Sequence, residues 1–422
     1  MSHRAWQLFE AFGIELEYMI VDGERLSVFP ITDRVLHEVA GSFESEIELG
    51  EISWSNELAL HVIELKTTDP ADKLAGLEQL FQDHVGRINQ LLAAHHARLM
   101  PTAMHPWMDP DAEMRLWPHE YNAVYEAFNR IFDCRGHGWA NLQSVHINLP
   151  FDTDEQFGQL HAAIRLILPL LPALAASSPV LGGRVTGLCD NRLDVYRHNA
   201  ASVPMISGAV VPEAVFTQAD YDRKIFQPMF RDIAPLDPDG TLQHEWLNAR
   251  GAIARFSRQS IEIRVLDIQE CPRADLAICR AIVAVLRGLV AQRWTSTAQQ
   301  QKMPTERLAD LFLRAVRDAD QAMFDDRDYL SHFGLADREA CSAREIWQQL
   351  RGQFDELNSL GGGHPQIASD WSPIDLILDQ GPLARRIVAD LGGDLSPTSL
   401  HRTYERLCDC LRDGRAFEAS HA

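Results

Sequence analysis

The segment FGIELEYMIVD, Phe12 to Asp22, carries two glutamates, Glu15 and Glu17, inside an otherwise apolar run. Side chains of an extended chain alternate between faces, so Ile14, Leu16, Tyr18 and Ile20 share one face and the two acids the other, with Cα atoms about 6.6 Å apart. Phe9, Phe12, Met19 and Val21 surround the acids with apolar bulk. Two carboxylates in such a setting repel unless a cation or protons lie between them. The pattern recurs twice. In VHINL, the apolar Val145, Ile147 and Leu149 send His146 and Asn148 together to the opposite face. In SIEIRVLD, Ile261, Ile263 and Val265 do the same for Glu262 and Arg264.

NELALHVIELKT, read as one strand, adds Glu64 to this set. Glu57 lies seven residues earlier, on the opposite face by strict alternation. A bulge, or a place at the strand's entry, is required for both acids to reach one site.

If these strands are neighbours in one sheet, Glu15, Glu17, Glu64, Glu262 and His146 line a single concave surface. Carboxylates and an imidazole suit hard cations, and two or more Mg²⁺ or Mn²⁺ ions would neutralise the acids. Arg255, Arg258 and Arg264 in ARFSRQSIEIR then have a use, because guanidinium groups beside metal ions clamp phosphate in pairs of hydrogen bonds. Metal and arginine on phosphate are the apparatus of phosphoryl transfer. The competing reading leaves each acid on a solvated strand face, in cross-strand ion pairs that contribute little.

The elements that must position these residues alternate irregularly. After the first two strands, the run from Thr67 to Leu99 reads as a helix with Asp69 as its cap and Pro70 in its first turn. Its apolar stripe is Leu74, Leu77, Phe81, Val85, Ile88 and Leu92. PTAMHPWMDPDAEMRLWPHE reads as a loop, EYNAVYEAFNRIFD as a helix, and LQSVHINLPF as a strand. A helix capped by Asp152 or Asp154 follows. Ser178 to Thr241 is rich in Gly, Pro and Asn and reads as long loops around short elements. QSIEIRVLDIQECP is a strand ended at Pro272, and from Arg273 onward the pattern is helical, interrupted by the LGGGHPQ loop and by prolines. Strands in the first two thirds and helices after them give an α+β fold with a mainly antiparallel sheet. The expected division is a catalytic region over 1–295 and a helical region over 296–422 packed on the same domain.

Composition narrows the partners. The 422 residues include 39 Lys and Arg against 60 Asp and Glu, a net charge of -21, which opposes binding to nucleic acid or anionic membrane. The two most apolar helical segments carry arginines and prolines and offer no clean span of about 20 apolar residues. Seven cysteines in a chain without a signal-peptide pattern argue for reduced thiols and a cytoplasmic location. Cys408 and Cys410 point apart on a helix and make a poor zinc pair. A symmetric homo-oligomer, a dimer in the simplest case, is expected on general grounds.

FGIELEYMIVD, NELALHVIELKT, the MHP at Met104 to Pro106, VHINL and RFSRQSIEIRVLDIQECP together resemble the type 2 glutamate-cysteine ligases, carboxylate-amine ligases of the glutamine synthetase superfamily. The resemblance runs from about Phe9 to about Arg293. It implies a glutamine synthetase-like curved sheet. Glu15 and Glu17 are implied to bind different metal ions, Glu64 and the more variable Glu57 to be ligands, and His146 and Glu262 to complete the cluster. Arg264 would meet the transferring phosphoryl group, with Asn148 and Arg192 binding substrate. The implied reaction activates a carboxylate, glutamate or a similar amino acid, as an acyl phosphate that a small amine then attacks. The loops carrying Cys134, His137 and Trp139, and DNRLDVYRHNAASVPMISGAVVPE, depart from the family pattern and are expected to line the acceptor pocket. Two alternatives keep the same fold: a kinase phosphorylating a guanidinium nitrogen, and a catalytically silent nucleotide-binding regulatory module.

Overall fold

Alternation in the first segment is realised as strand β1 (Gly13–Asp22), in which Ile14, Leu16, Tyr18 and Ile20 are all fully buried. The computed structural model describes residues 6–360 and 370–420. β1 belongs to a sheet with β2 (Glu46–Glu48), β3 (Ile52–Asn56), β4 (Val62–Thr67), β5 (Ala97–Met100), β6 (Ser144–Pro150), β7 (Ala252–Arg255) and β8 (Ser260–Asp267). The spatial order is β2-β3-β4-β1-β6-β8-β7, with β5 paired to the last residues of β1. Every pairing in this sheet is antiparallel, as the α+β reading expects.

Register decides what the polar face collects. Glu15 stands opposite His146, Glu17 opposite Glu64, and Glu262 opposite Asn148. Behind the sheet, the helices Leu77–Ala93, Asp154–Ile167 and Pro272–Val290 supply Phe81, Val85, Ile88, Leu160, Ile164, Leu276 and Ile282 to the core that holds Ile14, Leu16 and Ile20. Each such side chain stabilises the fold by about 1.5–3 kcal/mol relative to exposure. The helical C-terminal segment joins the same core: Trp347 Nε1 donates to the Leu170 carbonyl at 2.9 Å and Tyr329 Oη to that of Leu166 at 2.8 Å.

The polar face of β1 has two halves. Glu15 and Glu17 occupy the first, whereas Met19 and Val21, further along the same face, pack with Leu383, Ile387, Tyr404 and Cys408 of the helices Leu383–Leu391 and Pro397–Asp413. The C-terminal helices thus cover one half and leave the other to the acids.

Several elements differ from their sequence reading. NELALHVIELKT is strand only from Val62, its first residue ending β3 and 57–61 forming the connection, because Leu58 and Ala59 are buried beneath the loop at 115–117 instead of extending β4. Leu60 N–H donates to the Arg115 carbonyl at 2.8 Å, and Trp117 N–H to that of Leu58 at 3.0 Å. The helix expected from Asp69 begins at Leu77, with Gly76 as its N-cap, since Ala71 exchanges two 2.8 Å backbone hydrogen bonds with Phe12 and lies at the sheet edge. The same helix ends at Ala93, and the following residues form β5. Thr153, between the two proposed aspartates, caps the helix Asp154–Ile167. β8 stops at Asp267, and Pro272 opens the next helix. All seven cysteines are free. The LGGGHPQ loop beyond Leu360 lies outside the described residues. Among the described residues, no helix is long and apolar enough to cross a membrane.

Candidate active site

Glu15 and Glu17 sit at the centre of the acidic face because β1 is flanked by β4 and β6. Asn148 Nδ2 donates to Glu15 Oε1 at 2.9 Å, and His146 Nδ1 lies 2.8 Å from Glu15 Oε2. That reach across the strand pair relies on Gly13 opposite Asn148: a Cβ at position 13 would come 3.0 Å from Asn148 Cβ. Ser144 donates to Glu17 Oε2 twice, from its amide at 2.7 Å and its hydroxyl at 2.8 Å. With its only hydroxyl proton on Glu17, Ser144 accepts from His146 Nε2 at 2.9 Å. Without a metal both ring nitrogens of His146 are thus placed to donate, and as a metal ligand it would give up one of these protons.

Electrostatics agree with that assignment. Burial opposes charge on His146, yet the hydrogen bond to Glu15 and the charges of Glu17, Glu15 and Glu262 hold its pKa up to about 9. Burial likewise opposes charge on Glu15, but His146 and Lys66 hold its carboxyl far below the usual range. Burial and then the charge of Glu15 push Glu64 up to about 7, although Lys66 and a 2.6 Å hydrogen bond from Ser55 pull the other way. Burial and the charges of Glu17 and Glu64 push Glu57 well above its ordinary value. Burial and mutual repulsion thus raise the proton affinity of Glu57 and Glu64, as in a site short of positive charge.

Two sets of donors converge within this face. Glu15, Glu64 and His146 each offer an atom within 4.8 Å of the others, and so do Glu17, Glu57 and Glu64. Glu64 is common to both. Glu57 reaches the site from the connection just after β3, which removes the need for a bulge within one strand. Hard oxygen donors with one imidazole fit Mg²⁺ or Mn²⁺. Glu262 stands somewhat apart: Arg255 Nη1 is 3.0 Å from its Oε2, Arg264 Nη2 is 3.1 Å from its Oε1, and His146 Nδ1 is 3.8 Å away.

Two cavities meet here. An open one of about 870 Å³ is lined by Glu15, Glu57, Glu64, Lys66, Glu262, Arg255, Arg258 and Arg264. Arg258 is exposed, on the turn between β7 and β8. A smaller one of about 250 Å³ is lined by Glu17, Tyr125, Phe128, Trp139, Tyr196, Asn199 and Trp246. Trp139 lines the smaller cavity, whereas Cys134 is buried and His137 is bonded to Asn141 at 3.1 Å.

Arg192 also borders the smaller cavity but is buried and engaged: its Nε is 3.0 Å from Asp267 Oδ1, and its Nη2 donates to the carbonyls of Arg264 and Leu266, each at 2.9 Å. Sequence reasoning missed Lys66, 3.3 Å from Glu64 and 2.9 Å from Glu46. Its signal was available, since Lys66 follows Glu64 by two residues and shares its strand face. It also missed Ser55, Ser144 and the aromatic residues Tyr125 and Trp246. Tyr125 accepts from Asn56 at 3.0 Å.

Residues 11–405 match the model of glutamate-cysteine ligase family 2. An uncharacterised protein of Archaeoglobus fulgidus is 33% identical over 305 residues, covering 72% of this chain and 79% of that relative. A protein of Ruegeria pomeroyi, provisionally named glutamate-cysteine ligase 2, is 23% identical over 283 residues. That match covers 66% of this chain and 65% of the relative, just under two thirds of its length. The crystal structure of the Francisella tularensis glutamate-cysteine ligase in complex with AMP superposes with a TM-score of 0.59 at 12% identity, over 95% of this chain and 88% of that one. It shares the fold.

Fold, acidic face and sequence match together define the class, a glutamate-cysteine ligase-like protein of the carboxylate-amine type. The chain belongs to glutamate-cysteine ligase family 2, and the match extends through the helical C-terminal segment, well beyond the reach of the sequence motifs near Arg293.

Proposed function

We propose that this protein is an ATP-dependent carboxylate-amine ligase that joins glutamate, or a similar amino-acid carboxylate, to a small amine through an acyl phosphate. The observation that supports this reading most directly is the convergence of two donor sets, sharing Glu64, beside Arg255, Arg258 and Arg264 in one open cavity. Family membership and the AMP bound to the structural relative support the choice of ATP as co-substrate.

Glu15, Glu64 and His146, and Glu17, Glu57 and Glu64, would hold Mg²⁺ or Mn²⁺, with Glu262 at their margin. Bound there, the ions supply Lewis acidity and charge neutralisation for the phosphates. Arg255 and Arg258 would take the polyphosphate at the open end, where Lys66 balances the acids. Arg264, at the junction of the two cavities, would meet the oxygens of the γ-phosphoryl group as negative charge spreads over them. The carboxylate oxygen of the donor attacks γ-phosphorus, the bond to ADP breaks, and a carboxylate with no usable leaving group becomes an acyl phosphate. The amine then attacks the carbonyl carbon, phosphate departs, and the amine loses a proton. Asn148, beside Glu15, is a substrate-binding candidate, whereas Arg192 is turned to the protein's own carbonyls, and the aromatic lining of the smaller cavity would keep water from the acyl phosphate.

The test is phosphate release from ATP and Mg²⁺ with each amino acid as donor, with and without a pool of amines, and products read by mass. Amine-dependent release with a condensed product is expected. Release of a nitrogen-linked phosphoryl product without an amide would overturn the ligase in favour of a kinase. No release with any donor and amine would leave a binding module.

A further inference from the structure

β8 does not run straight past the site. Ile263 pairs with Ile147 and Leu266 with Val145, so Arg264 and Val265 together stand opposite the single residue His146. This is a β-bulge, which bends a strand, takes a residue out of the ladder and re-aims its side chain. A buried backbone carbonyl left without a donor costs about 1–3 kcal/mol. One side chain donates to two carbonyls of this stretch: Arg192 Nη2 reaches those of Arg264 and Leu266, one within the bulge and one at its end.

The guanidinium also meets a counter-charge beside the strand. Asp267, the last residue of β8, faces its Nε at 3.0 Å. Asp267 in turn accepts from Ser177 N–H at 2.8 Å and from Ser178 Oγ at 2.9 Å. Ser178 Oγ accepts from the Arg192 amide at 3.1 Å. The short helix carrying Arg192 is capped by Asp190, which accepts from Leu193 N–H at 2.8 Å. The opposite edge of the bulge is tied by Arg264 N–H donating to the Gly251 carbonyl at 3.0 Å.

We infer that Arg192 is a positioning residue for Arg264: by gripping the two carbonyls of the β8 bulge it sets where the Arg264 guanidinium enters the cavity. The inference rests on the proposed role of Arg264 at the phosphoryl group. Arg192 Nη2 holds both carbonyls while the rest of the same planar, delocalised cation faces Asp267, a shape that the compact lysine ammonium does not match.

The experiment compares the full-length wild type, Arg192→Lys, Arg264→Lys and the double variant in amine-dependent phosphate release. A misplacement near 1 Å costs about 100-fold, so Arg192→Lys is expected to lower kcat by about 10- to 100-fold with KM for the carboxylate nearly unchanged. In the Arg264→Lys background the same substitution should change kcat by less than about twofold, because residues acting through one another are not additive. Equal losses in both backgrounds would overturn the inference, as would a rise in KM for the carboxylate with kcat retained, which marks a substrate contact. Should Arg192→Lys not fold, Asp267→Asn loosens the same guanidinium and carries the same expectations. A wild type that turns nothing over speaks against the ligase reading alone; the clamp is then read by amide hydrogen exchange. Faster exchange at 264–266 in Arg192→Lys, with β1 and β6 unchanged, supports it, and unchanged protection there overturns it.

Discussion

Two groups of buried acids in this protein obey opposite rules. Glu270 and Arg386 are 1% and 2% exposed and form a closed pair: Nη1 lies 2.6 Å from Oε1 and Nη2 3.3 Å from Oε2. The Phe417 backbone closes it further, its carbonyl accepting from Arg386 at 2.7 Å and its amide donating to Glu270 at 3.2 Å. On the sheet face, five carboxylates, those of Glu15, Glu17, Glu57, Glu64 and Glu262, have Lys66, Arg255, Arg264 and His146 as their cationic partners. A closed pair needs nothing from outside. An open cluster stores repulsion, which a ligand cation relieves.

The difference gives opposite signs to similar substitutions. Arg386→Met leaves Glu270 buried without its partner, and we expect a loss of about 3–5 kcal/mol. Urea unfolding should show this with turnover per folded molecule preserved; an unchanged midpoint would mean the pair is not closed as described. Glu64→Gln removes the donor shared by both metal sets. Turnover should fall by about 10²–10³-fold, the scale of losing one electrostatic contact to a transition state. The metal-free protein should be as stable as wild type or more so, since repulsion from Glu15 is relieved. A variant that loses stability and keeps turnover would put Glu64 among the structural acids.

Metal itself sharpens the contrast. A ligand that binds only the folded state stabilises by about 2.7 kcal/mol at a hundredfold excess over its Kd. Mg²⁺ should therefore raise the thermal midpoint of the wild type, do so far less for Glu64→Gln, and act equally on Arg386→Met and wild type. Equal shifts in all three proteins would place the cation elsewhere.

The open cluster was largely legible in the sequence, because its members interrupt apolar strands at a period of two. Glu15, Glu17, His146, Glu262 and Arg264 each follow from that alternation, and the antiparallel sheet follows from their segments. What the alternation could not show was pairing. Glu57 is placed by a connection whose apolar residues look like strand, and its convergence with Glu17 depends on the loop at 115–117 that buries Leu58. The bulge in β8 leaves only a faint trace in SIEIRVLD, where Val265 and Leu266 break the alternation, and the side chain that bonds its carbonyls, Arg192, is more than seventy positions away. The closed pair of Glu270 and Arg386 left no local trace at all, its partners being 116 residues apart.

The smallest effect expected tests how finely the open cluster is held. Gly13 has no part in the chemistry, but Asn148 lies across it to reach Glu15. A methyl group at position 13 would approach Asn148 Cβ to 3.0 Å, tighter than a relaxed contact, so Asn148 must move by a few tenths of an ångström. Gly13→Ala should thus cost about 1 kcal/mol from the small-to-large change, offset in part by the lower entropy of the unfolded chain. Turnover should drop severalfold as the Glu15 carboxylate loses its fixed orientation, and Asn148→Ala should remove any further effect of Gly13→Ala. If the two substitutions instead add, Gly13 acts on the strand itself and Asn148 is a neighbour without consequence for the acids.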